Sequence, residues 1–195
     1  NLTGRALAVI AEFRFPVHII TKSALVLKDL DALREIARTY ASVSFTITTT
    51  DDELAAKIEP RSSRPSARLH AMRVLAQNGI QTGTTMMPIL PFIEDNEENI
   101  EAIVAQTAAA GGRYIIPWLG MSLRNRQRDY YYTHLDEHFP GLRQKYERTY
   151  GDRYECNSPR AHELWAFFEA CCERYGIAPR LPLYGPQTAE QLSLF

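Results

Sequence analysis

From Val43 to Leu69 the chain reads VSFTITTTDDELAAKIEPRSSRPSARL, a strand that runs into a helix, and this unit restricts the fold to alternating α and β layers. Val43, Phe45 and Ile47 alternate with Ser44, Thr46 and Thr48, so one face of the strand is apolar and the other carries only hydroxyls. Thr50 followed by Glu53 predicts a capping box, and Glu59-Pro60 ends the short helix. A hydroxyl-lined strand that leads straight into a loop and a helix is a place to hold something polar.

The same change of period recurs along residues 1–120. Thr3 is placed to cap a first helix with Ala6, Leu7, Ile10 and Phe13 on one stripe, and Pro16 ends it. Val17 to Lys22 reads as a strand with Val17, Ile19 and Thr21 on one face and His18, Ile20 and Lys22 on the other. Asp29 caps a second helix carrying Leu30, Leu33, Ile36, Ala37 and Tyr40. Pro65 suits the first turn of a helix that lines up Leu69, Met72, Leu75 and Ala76 and stops at Gly79. Thr82 to Ile89 is a weaker strand. Asp95 with Glu98 predicts a second capping box for a helix bearing Ile100, Ile103, Val104 and Thr107, closed by Gly111-Gly112. Tyr114 to Leu119 is a fourth strand, which Pro117 assigns to an edge or a strand end.

Helix-strand units recurring at roughly 25 to 35 residues, with short connections, predict parallel strands covered by helices. A barrel and an open doubly wound sheet both satisfy that pattern. No G-x-G-x-x-G or Walker-type loop follows any strand, which removes the main support for a dinucleotide-binding sheet. The polar residues sit at the carboxyl ends of strands, where barrel enzymes keep their active sites. Four strands do not close a barrel. The chain starts at Asn1 rather than Met and enters directly into a helical pattern, so it is expected to be a piece of something longer.

Composition narrows the function classes. The 195 residues are 45% hydrophobic and 23% charged, with a formal net charge of -1, so there is no global pull toward nucleic acid or an anionic membrane. No apolar run approaches the roughly 20 residues of a membrane-spanning helix. Cys156, Cys171 and Cys172 cannot all pair, which suits a reducing compartment, and a cytoplasmic location is expected.

Residues 121–195 change character and read as an α-helical C-terminal extension rich in Arg and Tyr. Ser158-Pro159 starts a helix whose Leu164, Phe167, Phe168, Cys171 and Tyr175 share a face, expected to dock across the sheet or its open edge; Cys171 reads as a buried small residue. The tail from Pro179 reads as an extended strap. Arg124, Arg126 and Arg128 followed by Tyr130, Tyr131 and Tyr132 interleave cations with rings, the composition used on single strands, although Asp129 and Asp136 dilute it. His134, Glu137 and His138 satisfy H-x-x-E-H, but Phe139-Pro140-Gly141 ends the helix at once and no third ligand announces itself, so the motif reads as a solvated helix face and no metal is expected.

FPVHIITKS at 15–23, VSFTITTTDDELAAKIEPRSSRPSARLHAM at 43–72, AQNGIQTGTTMMPILPFIED at 76–95, and LGMSLRNRQRDYYY with YGDRYECNSP later in the chain resemble the spore photoproduct lyase-like branch of the radical S-adenosylmethionine superfamily, often labelled DNA repair photolyase-like. The resemblance implies a partial (β/α)6 TIM-like barrel, a 4Fe-4S cluster, and S-adenosylmethionine cleaved for radical chemistry, with a nucleic-acid lesion as substrate. The family holds its cluster on C-x-x-x-C-x-x-C, because three thiolates leave one iron open for the cofactor. Nothing here has that spacing. The cluster ligands are therefore expected upstream, in an intact parent enzyme, and the chain alone is expected to be inactive.

The resemblance carries Lys22 and Thr46 onto positions that would contact the carboxylate and polar parts of S-adenosylmethionine, with Ser44 and Thr48 on the same face in reserve. Arg61 and Arg68 are equally explained as aids to an anionic ligand or as a clamp around Glu59. No residue of this chain is assigned a catalytic role. Two other classes remain open: a non-catalytic nucleic-acid or protein binding module using residues 124–132, and a phosphate-handling barrel enzyme. A strand left with an unpaired edge at Val17 to Lys22 would also invite a homo-oligomer.

Overall fold

The computed structural model describes residues 2–182, 184 and 185. Helix α1 (Leu2–Glu12) is followed by β1 (Val17–Thr21), a 3-10 helix (Ala24–Asp29), α2 (Leu30–Ala37), β2 (Ala41–Thr46), α3 (Asp52–Ile58), α4 (Pro65–Gln77), β3 (Gln81–Met86), α5 (Glu97–Ala109) and β4 (Tyr114–Pro117). The strands form one parallel sheet in the order β1-β2-β3-β4, so every crossover advances the same way and the strand order never reverses. The fold class is α/β.

Register follows the alternation seen in β2. Ile20, Ser44, Gly83 and Tyr114 lie side by side on one face, and Thr21, Phe45, Thr84 and Ile115 on the other. Helices cover the second face. Val43, Phe45, Ile47 and Ile115 pack in one core with Leu33 and Ile36 of α2, Met72 and Leu75 of α4, and Ile100 and Ile103 of α5. Pro117 does end an edge strand: among the described residues β4 pairs only with β3 inside the sheet, its outer side meeting a single bridge from Ala178 to Tyr114. At the opposite edge, β1 has no second strand partner among the described residues, and Ile20 there is 58% exposed.

Three expected caps are corrected. The N-cap of α3 is Asp51, whose carboxylate accepts the Glu53 amide at 2.8 Å and the Leu54 amide at 3.2 Å, so the Thr50–Glu53 box does not form. A single carboxylate oxygen, Oδ1, takes both amides of the first turn, as a short N-cap side chain placed one residue before the helix can. The N-cap of α5 is Asn96, which accepts the Asn99 amide at 2.9 Å; Asp95 instead receives the Phe92 amide and the Ser158 hydroxyl. Thr3 lies inside α1, which already begins at Leu2, and Phe13 is 63% exposed rather than on a buried stripe.

Beyond β4 the extension is not wholly helical. The short strands β5 (Gly120–Ser122) and β6 (Glu155–Asn157) pair antiparallel and enclose α6 (Asn125–His138) and α7 (Leu142–Tyr150). Close approach requires Gly120, since a Cβ there would come within 2.6 Å of Asn157 Oδ1. Met121, Leu123, Tyr132, Leu135, Tyr146, Tyr150 and Cys156 make a second core under this pair. Helix α8 (Ala161–Tyr175) returns to the first core, burying Leu164, Phe168, Cys171 and Cys172 against the α5 side of the sheet. Most of the strap expected from Pro179 lies outside the described residues. No described helix is long and apolar enough to cross a membrane.

Candidate functional site

At the carboxyl ends of the strands, Lys22 follows β1, Thr48 lies just past β2, and Glu94 lies in the loop after β3. Glu59, past the end of α3, joins two cations: Lys22 donates to Oε1, and Arg68 donates from Nη2 to Oε2 at 2.6 Å. Arg68 is only 1% exposed. Its remaining donors go to the Thr46 carbonyl at 2.6 Å and the Ser63 carbonyl at 2.7 Å, because a guanidinium removed from water needs partners for its N–H groups. Burial acts to raise the Glu59 carboxyl, but the hydrogen bonds and charges of Lys22 and Arg68 prevail and hold it below the usual range.

Glu94 has the opposite environment. It is fully buried; Oε2 accepts the Leu90 amide at 2.9 Å, and Oε1 has no hydrogen-bond partner among the described residues. Burial pushes its carboxyl from the ordinary 4.5 up to about 8, against the opposing pull of the nearby Thr48 hydroxyl and the Leu90 amide; the Glu59 charge adds to the rise. The Asn99 side chain fixes this corner by donating to the Thr48 carbonyl at 2.8 Å and the Glu94 carbonyl at 2.9 Å. The result is a carboxylic acid that keeps its proton near neutral pH at the mouth of a parallel sheet, the behaviour expected of a group that lends a proton rather than a charge.

The structure separates the residues proposed from sequence. Lys22 and Thr46 are brought together through the Glu59–Arg68 clamp, and Thr48 lies against Glu94. Ser44 is deeper and already committed, with its hydroxyl 2.8 Å from His18 Nε2 and 2.7 Å from the Tyr114 hydroxyl. Tyr114 also reaches Ser42 at 2.7 Å, lying across Gly83 where any Cβ would come within 2.6 Å of its ring. Arg61 is exposed, and the clamp around Glu59 belongs to Arg68 and Lys22 instead. Sequence reasoning missed Glu94. Its signal was an acid directly after the apolar run PILPFI, which two prolines interrupt, and beside Asp95.

The Arg and Tyr stretch is divided in the same way. Arg128 is turned inward and donates to the carbonyls of Gly151 at 2.7 Å and Arg153 at 2.6 Å; Tyr132 is buried, and the Tyr131 hydroxyl donates to Tyr146 at 2.9 Å. Arg124, Arg126 and Tyr130 remain exposed. On the same helix His134, Glu137 and His138 converge, each offering a ligand atom within 4.8 Å of the others.

No family model matches the chain. It is similar to an uncharacterized protein of Mycobacterium tuberculosis, 29% identical over 136 residues that make up 69% of this chain and 40% of the relative. An uncharacterized protein of Methanocaldococcus jannaschii is 28% identical over 127 residues, 65% of this chain and 45% of its own length. One from Acidianus two-tailed virus is 36% identical over 96 residues, 48% of this chain and 32% of its own. The chain thus spans less than half the length of these relatives.

The residues present do not fit a 4Fe-4S cluster. Cys156 lies in the second core, and Cys171 and Cys172 lie in the first. All three are buried and their thiols are raised by that burial, Cys172 to about 12, where the thiolate a cluster requires is suppressed.

Proposed function

We propose that this chain is part of a longer radical S-adenosylmethionine protein of the spore photoproduct lyase-like type, acting on a nucleic-acid lesion, and that it supplies one wall of the cofactor pocket. The observation that carries this reading is the parallel sheet in unbroken sequence order with helices on one face, the arrangement of consecutive units in a (β/α)6 barrel wall. A doubly wound sheet would reverse its order at a switch point. The polar side chains at the carboxyl ends add to it, as does the greater length of the relatives.

In this reading Lys22, 44% exposed at its side chain, turns from Glu59 toward the carboxylate of S-adenosylmethionine, and Thr46 and Thr48 line the wall beside it. Glu59 and Arg68 keep the β1 and β2 ends in register, and Glu94 holds a proton behind Thr48. The cofactor when bound supplies the radical initiator; this chain contributes binding, orientation and exclusion of water. The cluster belongs to another part of the longer protein.

The test is equilibrium binding of S-adenosylmethionine to the cluster-loaded longer protein. Lys22→Ala should weaken binding by about tenfold or more, the loss of one charge-assisted contact, while Arg61→Ala leaves it unchanged. Equal affinity in wild type and Lys22→Ala would remove Lys22 from the pocket.

A further inference from the structure

Helix α6 carries His134 and His138 one turn apart with Glu137 beside them. We propose that these three side chains bind a divalent transition metal of the borderline class that imidazole and carboxylate favour, with Zn2+ as the representative ion. The site is independent of the function proposed above.

The geometry is close to that of a bound ion. Donors lying 2.0 to 2.1 Å from a tetrahedral metal are about 3.3 Å apart. Glu137 Oε2 lies 3.3 Å from His134 Nδ1 and 3.8 Å from His138 Nε2. All three ligand atoms fall within 4.8 Å of one another, so the remaining closure is roughly 1.5 Å at most. The two imidazole planes are within 10° of parallel with ring centroids 6.0 Å apart; because each nitrogen lone pair lies in its own ring plane, at least one ring must turn for both donors to meet one ion. Tyr130 packs against His134 at 4.4 Å, which restricts its ring. The helix does end at Phe139, as the sequence indicates, but the third donor is already inside the motif: Glu137 faces both histidines, so no ligand from another element is needed.

His134 and His138 both form part of the wall of a cavity of about 290 Å3, bounded across from α6 by Lys57 and Ile58 of α3 and by Leu90 and Ile93 of the β3–α5 loop. Three protein ligands leave at least one coordination position for water or an oxygen-donor ligand, as in sites that do chemistry rather than purely structural ones. That position can open onto a mostly apolar cavity with one cation, Lys57, suited to a small anionic or oxygen-bearing molecule.

The experiment is calorimetric titration of chelator-treated protein with Zn2+, paralleled by Co2+ titration followed in the visible spectrum. One ion per chain is expected, with Co2+ bands of four- or five-coordination. His134→Ala and His138→Ala should each weaken binding by about tenfold or more, since even partners outside the ligand set cost 10- to 100-fold. Glu137→Gln should also weaken it, and His162→Ala, at an exposed histidine on α8, should not. All of these side chains are at least partly exposed, so the variants keep the fold, which circular dichroism verifies. Absence of stoichiometric binding, or affinity indifferent to both His134→Ala and His138→Ala, overturns the proposal.

Discussion

Replacing Glu94 with Gln tests whether the buried carboxyl at the sheet mouth holds a proton. Its value in the folded protein, about 8, lies above the ordinary 4.5 that it regains on unfolding. A group raised on folding gives stability that is fully present below the unfolded value and lost as pH rises through the folded value. At pH 5 the folded chain carries this proton and most unfolded chains have already released it, so protonation favours the fold. At pH 9 neither state binds it. At 1.36 kcal/mol per pH unit, the loss between pH 5 and pH 9 is about 4 kcal/mol. Glu94→Gln keeps the shape of the protonated acid and removes the titration. In urea denaturation, the stability difference between wild type and Glu94→Gln should therefore move by about 4 kcal/mol in the variant's favour from pH 5 to pH 9. Other titrating groups contribute equally to both proteins and cancel. A difference that changes by less than about 1 kcal/mol over this range would refute the claim that Glu94 is protonated at neutral pH.

Two further outcomes follow from the same structure. Arg68→Ala leaves Glu59 with Lys22 alone and strips the Thr46 and Ser63 carbonyls of their donor, so unfolding experiments should show a loss of about 3 to 5 kcal/mol; a loss under about 1 kcal/mol would mean the clamp is dispensable. The edge of β1, which pairs with no second strand among the described residues, should promote self-association that sedimentation detects as a rising apparent mass with concentration, and Ile20→Lys should suppress it; a concentration-independent monomer would contradict this.

Much of the sheet was legible because β2 alternates strictly, and Pro65, Gly79 and Gly111 mark helix boundaries by backbone chemistry alone. The caps were misplaced because Thr49, Thr50, Asp51 and Asp52 are consecutive candidates, and only the folded backbone decides which side chain reaches the free amides. Strands β5 and β6 span three residues each, too few for a period to register. In the site, Arg61 and Arg68 were indistinguishable as charges; their roles diverge because Arg68 sits on the buried side of α4 with Leu69 and Met72, while Arg61 lies in an exposed turn. Glu94 and Thr48 are 46 positions apart, and their meeting depends on Asn99 bridging two loops, a contact with no local signature. Glu137 was read as a base beside two histidines because spacing gives neighbours on a helix but not which atoms converge.

The proposed place of this chain in a radical S-adenosylmethionine enzyme is tested most directly by anaerobic reconstitution of the longer protein, with iron counted and 5'-deoxyadenosine measured under a reductant. About four irons per protein and reductant-dependent 5'-deoxyadenosine are expected, with neither for residues 1–195 alone. A longer protein that binds no stoichiometric iron and forms no 5'-deoxyadenosine would contradict it.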